Sequence, residues 1–374
     1  MKRRYWILII LILFGCSNKK EFPGMPEQQE KLLSEHQQKS VNLSKSFESS
    51  DLITVRQNGN IKAFPFTLEK LDSTTFEHPE SIGISKLIET ENYFFLDNIV
   101  LSPNGYNTAK YDKKGTFLAS FARKGRGPGE KTTRGVIVER NDTTYLFDNG
   151  YIKLFDETLT EIDRTFIGLW AYQAFIDGQG FDLNIASNEY FPYPVTRVDK
   201  KSYDIQMSLM DDRSDIFNVS VSNSKTFFSN DELIIYAKTT LNLIHVIEKK
   251  SKSFAHYEII SEIIRENEDS IEKGATPDEL VSFLENLFVI EKLHYKNQTL
   301  WILFRDGGGD NLKRYLGKVT NLRSLDSSAD IEIYDLKKIG YKHNYSFFNN
   351  HINVSDRIEG DKKTFLYQIK LNQL

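Results

Sequence analysis

From Asp51 onward the chain is written in short apolar runs separated by Gly, Asn, Asp and Lys, a pattern that predicts many short strands joined by tight turns. The runs also repeat. Tyr93-Phe94-Phe95-Leu96-Asp97-Asn98 is followed by Ala109-Lys110-Tyr111-Asp112, a turn ending at Gly115, and then Thr116 to Phe121. A second copy reads Tyr145-Leu146-Phe147-Asp148-Asn149, then Ile152 to Asp156, a short turn, and Leu159 to Phe166. More degraded copies run Leu233 to Tyr236, Leu243 to Glu248 and Phe254 to Ile259, and later Leu300 to Phe304, Arg314 to Val319 and Thr364 to Leu371. Each unit is a buried strand followed by a hairpin of alternating residues, which is the material of a four-stranded propeller blade.

Blade count follows from length. The region Ile82 to Leu371 allows about 48 residues for each of six blades, and the step from Tyr93 to Tyr145 agrees better with six than with seven. The pattern therefore predicts an all-β fold, a six-bladed β-propeller of four-stranded blades. Leu52 to Phe66 is strand-like and precedes the first copy, so it is expected to give the last blade its outer strand and close the ring. Closure removes an edge that would otherwise template aggregation. Thr276-Pro277-Asp278-Glu279 forms a capping box with Pro at the first helical position, and Leu280, Phe283, Leu284, Leu287 and Phe288 follow at helical spacing. This predicts a short helical insertion near 277–288, either packed across a blade edge or serving as a lid or docking helix.

The N-terminus has a different grammar. Lys2, Arg3 and Arg4 precede the apolar run Tyr5 to Phe14 and the small residue Gly15, the three-part form of an export signal. The run falls short of the roughly 20 residues that a membrane-spanning helix needs. Leu13-Phe14-Gly15-Cys16 resembles the lipobox of bacterial lipoproteins, which implies removal of residues 1–15 and acylation of Cys16. Ser17 in place of Asp permits passage to the outer membrane, and which membrane face is reached stays open. Residues 16–50 are polar, with Gln28, Gln29, Gln37 and Gln38, and read as a tether of at most about 110 Å between the lipid and a propeller domain over 51–374, shorter if Gln28 to Gln38 form a short helix.

Composition sets limits on partners. Of 374 residues 40% are apolar and 13% aromatic, including 26 Phe and 18 Tyr, a balance that suits pleated sheet. With 48 basic against 52 acidic side chains there is no global positive field to attract nucleic acid. The single cysteine excludes an internal disulfide.

The run Gly115-Thr116-Phe117-Leu118-Ala119-Ser120-Phe121-Ala122-Arg123-Lys124-Gly125-Arg126-Gly127-Pro128-Gly129-Glu130, after Tyr111-Asp112, resembles the signature of the six-bladed β-propeller lipoproteins of Bacteroidota. Those proteins are related to the TolB-like and NHL-type propellers. The resemblance implies a propeller in the cell envelope, most of whose relatives have no assigned activity.

Several motifs carry candidate chemistry. Gly125-Arg126-Gly127-Pro128-Gly129 lacks the GxGxxG spacing and following helix of a dinucleotide loop, so it reads as a tight interblade turn. Arg123, Lys124, Arg126, Lys131 and Arg134 nevertheless concentrate positive charge there, and Arg123 and Arg126 are candidate contacts for an anionic ligand. Asp97 and Asp148 occupy equivalent places in successive copies. They are either local turn formers or, as in calcium-dependent propeller hydrolases of the SMP-30 type, oxygen ligands for Ca2+ at a central channel. Arg305-Asp306-Gly307-Gly308-Gly309-Asp310-Asn311 has no Glu at the twelfth position of an EF-hand loop and reads as a hairpin tip. Neither an HExxH nor a GxSxG motif is present, and the seven histidines show no close ligand spacing. Asp72-Ser73-Thr74 and Asp142-Thr143-Thr144 resemble the O-glycosylation sites of exported Bacteroidota proteins.

The leading expectation is a lipid-anchored, non-catalytic module that binds an envelope protein, peptide or glycan. Its competitors are a calcium-dependent propeller hydrolase or lyase and a structural subunit of an outer-membrane complex.

Overall fold

The computed structural model describes residues 25–43, 45–46, 51–78, 84–99, 107–132, 135–185, 193–211, 225–238, 242–264, 279, 286–320, 322, 328–355 and 363–374. The repeat visible in the sequence has a local cause at its turns. Asp112 Oδ1 accepts the N–H groups of Lys114 and Thr116 at 2.9 and 2.8 Å, Asp156 accepts that of Thr160 at 3.0 Å, and Asp199 accepts those of Lys201 and Ser202 at 2.7 and 2.9 Å. An aspartate that satisfies the backbone on its far side fixes the reversal between the third and fourth strand of these three units. The strands between turns alternate in burial according to depth: Thr143–Asp148 and Gly180–Ile185 are covered almost throughout, whereas the outer strand Glu161–Phe166 has no fully buried residue.

The resulting sheets are antiparallel meanders. The first consists of Ile84–Glu89, Phe94–Ile99, Asn107–Tyr111 and Phe117–Phe121, and the second of Val136–Arg140, Thr143–Asp148, Tyr151–Phe155 and Glu161–Phe166. The third, Ala171–Ile176, Gly180–Ile185, Val195–Asp199 and Ile205–Met210, gains Ser40–Asn42 as a parallel outer strand. A ten-stranded sheet follows. It contains one meander over Lys225–Ile260 and another over Phe288–Asp335, joined by Leu52–Gln57, which pairs in parallel with the outer strands of both. The last sheet is Asn344–Phe348, His351–Ser355 and Lys363–Lys370 with Ser73–Glu77 on its outer edge.

The fold is all-β and propeller-like, but the expectation of six separate four-stranded blades requires correction. Among the described residues four sheets stand apart, Arg123–Lys124 and Glu130–Lys131 make a short two-stranded pair, and the remaining strands form one continuous ten-stranded sheet. The reason is Leu52–Gln57: Val55, 1% exposed, lies between two outer strands whose edges its backbone satisfies at once. The closing strand also differs from the expectation, since Ser73–Glu77 rather than Leu52–Phe66 completes the last sheet. It pairs antiparallel with Lys363–Lys370 and sends Phe76 into a cluster with Leu87, Phe94 and Tyr111 of the first sheet.

The polar N-terminal stretch does not all hang free. Met25–Gln38 is a helix against the third sheet, and Leu43 is fully buried among Val195, Leu209 and Tyr236. From there the chain runs along the outside of the sheets, contributing in turn to the third, the ten-stranded and the last. The predicted helix near 277–288 falls mostly outside the described residues. Glu279 is helical, but Phe288 begins the strand Phe288–Lys296 and so leaves the proposed helical face.

Candidate functional site

The glycine-rich signature is a knot between the first two sheets. Gly125 N–H donates to the Lys131 carbonyl at 2.9 Å, and Gly127 N–H donates to Glu130 Oε2 at 2.7 Å. A β-carbon at Gly125 would overlap the Glu130 carboxylate, so only glycine lets this side chain fold back into its own loop. The Gly127 bond, helped by Arg123 at 3.2 Å, holds the Glu130 pKa below the usual carboxylate range. From the second sheet, Arg164 donates to the Gly127 carbonyl at 2.8 Å and Glu161 accepts the Gly129 N–H at 2.5 Å.

Beneath the loop lie the two aspartates singled out from the repeat. Asp97, 2% exposed, forms an ion pair with Lys131, which is fully buried and also donates to Thr108 Oγ1 at 2.7 Å. Asp148 pairs with Lys153 at 2.7 Å and accepts the Thr132 N–H at 2.9 Å, while Lys153 donates to the Glu130 carbonyl at 2.5 Å. Each carboxylate is therefore engaged by an ammonium from the loop or the neighbouring strand. Arg123, with 78% of its side chain exposed, and the exposed Arg126 stand on the outer side of the same loop. The structure thus puts Asp97 and Asp148 inside the joint and the two arginines outside it; it does not gather the four around one point. No group of three or more His, Cys, Asp or Glu that could hold a metal occurs among the described residues. Cys16 and Arg134 lie outside those residues.

A second buried charge cluster was not anticipated. Between the third sheet and the following meander, Arg197 donates to Asp182 at 2.9 Å and to Asp177 at 2.8 Å, and Lys249 donates to Asp177 and Asp182 at 2.8 and 2.5 Å. Burial opposes ionisation of Asp177, but Lys249 and the Gln179 and Gly180 N–H groups outweigh it and hold its pKa far below the usual range. The sequence signal was Asp177 three residues before Gly180, a turn in which the carboxylate caps two backbone donors.

The innermost strands converge on a central cavity of about 170 Å³. Its wall includes Lys86, Ile137, Phe175, Phe227, Lys292 and Phe347, one from each successive innermost strand. Glu89 also faces it but is committed elsewhere, accepting from Lys113 at 2.8 Å and Asn353 at 2.6 Å. Lys292 follows a β-bulge at Glu291, whose carboxylate binds Arg314 at 2.7 Å. Burial lowers the Lys292 pKa; the Glu291 carboxylate opposes this and the Arg314 charge adds to it. His294 stacks on Phe347 at 5.3 Å and hydrogen-bonds the Asn349 carbonyl at 2.6 Å; burial brings its pKa down to about 4, so the neutral ring donates Nε2–H to that carbonyl near neutral pH. The cavity accordingly has a mostly apolar wall with a cationic side and a neutral imidazole.

Comparison with known proteins yields likeness of fold. No protein-family model matches the chain, and no curated protein matches it. Among solved structures it is similar to a member of the DUF4221 family from Bacteroides vulgatus, at 10% identity and a TM-score of 0.56, covering 80% of this chain and 97% of that one. It is also similar to a protein from Bacteroides fragilis named for its inferred export, at 11% identity and a TM-score of 0.58, covering 86% and 99%. Identities this low establish a shared fold.

Proposed function

We propose that this chain is an envelope lipoprotein, anchored through acylated Cys16, whose propeller is a non-catalytic module that binds a protein, peptide or glycan. The observation that carries the reading is the central cavity, where every sheet contributes an innermost strand and the wall offers apolar surface beside lysine. Buried aspartates that a hydrolase would direct at a metal are instead committed to lysine and arginine. Each meander of the ten-stranded sheet sends its own innermost strand to the cavity wall. The fold likeness to a Bacteroides protein named for export supports the envelope location. With Met25 already in a docked helix, the tether shortens to the residues between Cys16 and Met25.

Two measurements test this. Mass spectrometry of the N-terminal peptide should find an acylated Cys16, and Cys16→Ser should move the protein from the membrane to the soluble fraction. A photo-crosslinking residue at Lys86 or Phe347, on the cavity wall, should capture one defined partner, while the same residue at Lys114, on a hairpin turn away from the cavity, should not. Equal capture from all three positions would remove the binding reading, and membrane retention of Cys16→Ser would remove the anchor.

A further inference from the structure

Four large apolar side chains on the second and third sheets and the link between them are exposed. Ile162 is 58% exposed, Phe166 40%, Trp170 44% and Tyr172 49%, whereas Trp301 is only 3% exposed. Exposure of this kind is costly in water, so the way the side chains are held bears on its meaning. The Asn149–Gly150 turn clamps the segment: the Gly150 carbonyl accepts the N–H groups of Ile167 and Gly168 at 2.8 and 3.0 Å, and Asn149 Oδ1 accepts the Trp170 indole N–H at 3.0 Å. Phe166 is braced edge-on by Tyr151 at 4.9 Å. Tyr172 sits at the register shift between Ala171 and Gln173, a β-bulge that turns its ring out of the strand pattern. The Trp170 and Phe166 rings are thus held outward by the turn and by Tyr151.

The patch also lies where the N-terminal segment joins the sheets. Leu32 packs with Ile167, Leu169 and Ala171, and its Cδ2 would lie 3.4 Å from a β-carbon at Gly168, between Phe166 and Trp170. Leu32 is two helical turns from Met25, about 10 Å along the axis. Eight residues lie between Cys16 and Met25, nine steps of chain that span at most about 30 Å. Cys16 is thereby confined to within about 40 Å of Leu32, which sits against the segment carrying Phe166 and Trp170. The neighbouring loop adds positive charge, since the Arg126 carbonyl accepts from Arg164 at 3.4 Å and the exposed Arg126 and Arg123 stand beside the strand that carries Ile162 and Phe166.

The geometry points to a lipid surface as the occupant of this patch: Ile162, Phe166, Trp170 and Tyr172 rest in the headgroup region of the leaflet that holds the Cys16 anchor. The inference rests on the anchoring reading above. Trp and Tyr favour that depth because an apolar ring enters the boundary while the polar edge stays hydrated, and arginines beside them meet lipid phosphates. The lipid chains alone would leave the domain free to tumble at the end of its leash. The patch gives it a fixed orientation, with the second and third sheets against the membrane.

Tryptophan emission makes the test direct. Removal of residues 1–15 takes Trp6 away and leaves Trp170 and Trp301. The acylated chain is reconstituted into phosphatidylcholine–phosphatidylglycerol vesicles with ordinary or brominated acyl chains, flotation is scored, and Cys16 acylation is checked by mass. Bromine should reduce emission by about half, because one of the two indoles lies at headgroup depth. Trp170→Phe should abolish the difference while leaving flotation unchanged. A chain that floats with acylated Cys16 but shows equal emission in both lipids overturns the membrane-facing patch and leaves the anchor standing. That result would give the patch to a protein or glycan. A chain that lacks acylation and stays at the bottom of the gradient overturns both.

Discussion

Lys131 reaches out of the glycine-rich loop to form a wholly buried ion pair with Asp97 of the preceding sheet. The next residue in the chain, Thr132, donates its N–H to Asp148 of the following sheet at 2.9 Å. Two consecutive residues thus fasten two sheets. The most recognisable stretch of the sequence is a joint, and its basic side chains divide into buried fasteners and exposed candidates for contact.

Breaking that joint on one side should be severe. Lys131→Met leaves the Asp97 carboxylate buried without its partner, and the expected cost is about 3–5 kcal/mol. Asp97→Leu with Lys131→Met removes both charges together and should recover most of the loss. Urea midpoints for the two variants check this; equal destabilisation would mean that packing of the lysine stem, and not the stranded charge, sets the penalty.

Gly125→Ala places a methyl group where the Glu130 carboxylate lies. The loop must open or the carboxylate must leave, at a cost on the order of 1–3 kcal/mol. Adding Glu130→Ala should make the second substitution nearly free, a coupling that a double-mutant cycle on thermal midpoints measures. Additive losses would show that the glycine answers to backbone conformation alone.

Much of the fold was legible, and the failures have physical causes. The first two copies could be read because Tyr93–Asp97 and Tyr145–Asp148 place aromatics and a terminal Asp in the same register. The unit over Ala171–Met210 went unread, since its second strand buries Asp182 and Asn184 where the other copies carry Leu or aromatic side chains. A strand that hides polar groups in paired contacts does not announce itself by hydrophobicity. The docking of Met25–Asn42 was equally silent, because a helix held by Leu32 and His36 on an otherwise polar surface has the composition of a tether. Asp97 and Asp148 were found as equivalent positions, but one chain cannot reveal that their partners are lysines, one brought in by the next loop and one from the neighbouring strand.

Ring closure depends on one strand borrowed from the N-terminal side. Phe76, fully buried, meets Phe94 and Tyr111 edge-on at 5.2 Å each and joins the last sheet to the first. Phe76→Ala should cost about 3–5 kcal/mol and release the closing strand before the rest unfolds. Hydrogen exchange should then rise first over Ser73–Glu77 and Lys363–Lys370. Uniform acceleration across all sheets would contradict an opening at this seam.

Acid should loosen the N-terminal helix before it harms the sheets beneath. His36 is fully buried, stacked on Tyr193 at 4.9 Å and hydrogen-bonded to Ser208 Oγ at 2.6 Å, and burial lowers its pKa to about 4. An undocked His36 would titrate near its ordinary value of about 6.5. Between those limits the undocked chain holds a proton that the docked helix refuses, so docking is strongest above about pH 6.5 and weakens as pH falls toward about 4. The full swing is on the order of 3 kcal/mol, and below pH 4 both forms are protonated and nothing further is lost. Hydrogen exchange over residues 31–43, corrected for intrinsic rate, should show protection falling between about pH 7 and pH 4.5. In His36→Gln, which cannot titrate, that fall should vanish even if docking is weaker throughout. A wild-type profile that stays flat across this interval would mean that His36 is not the contact that governs docking.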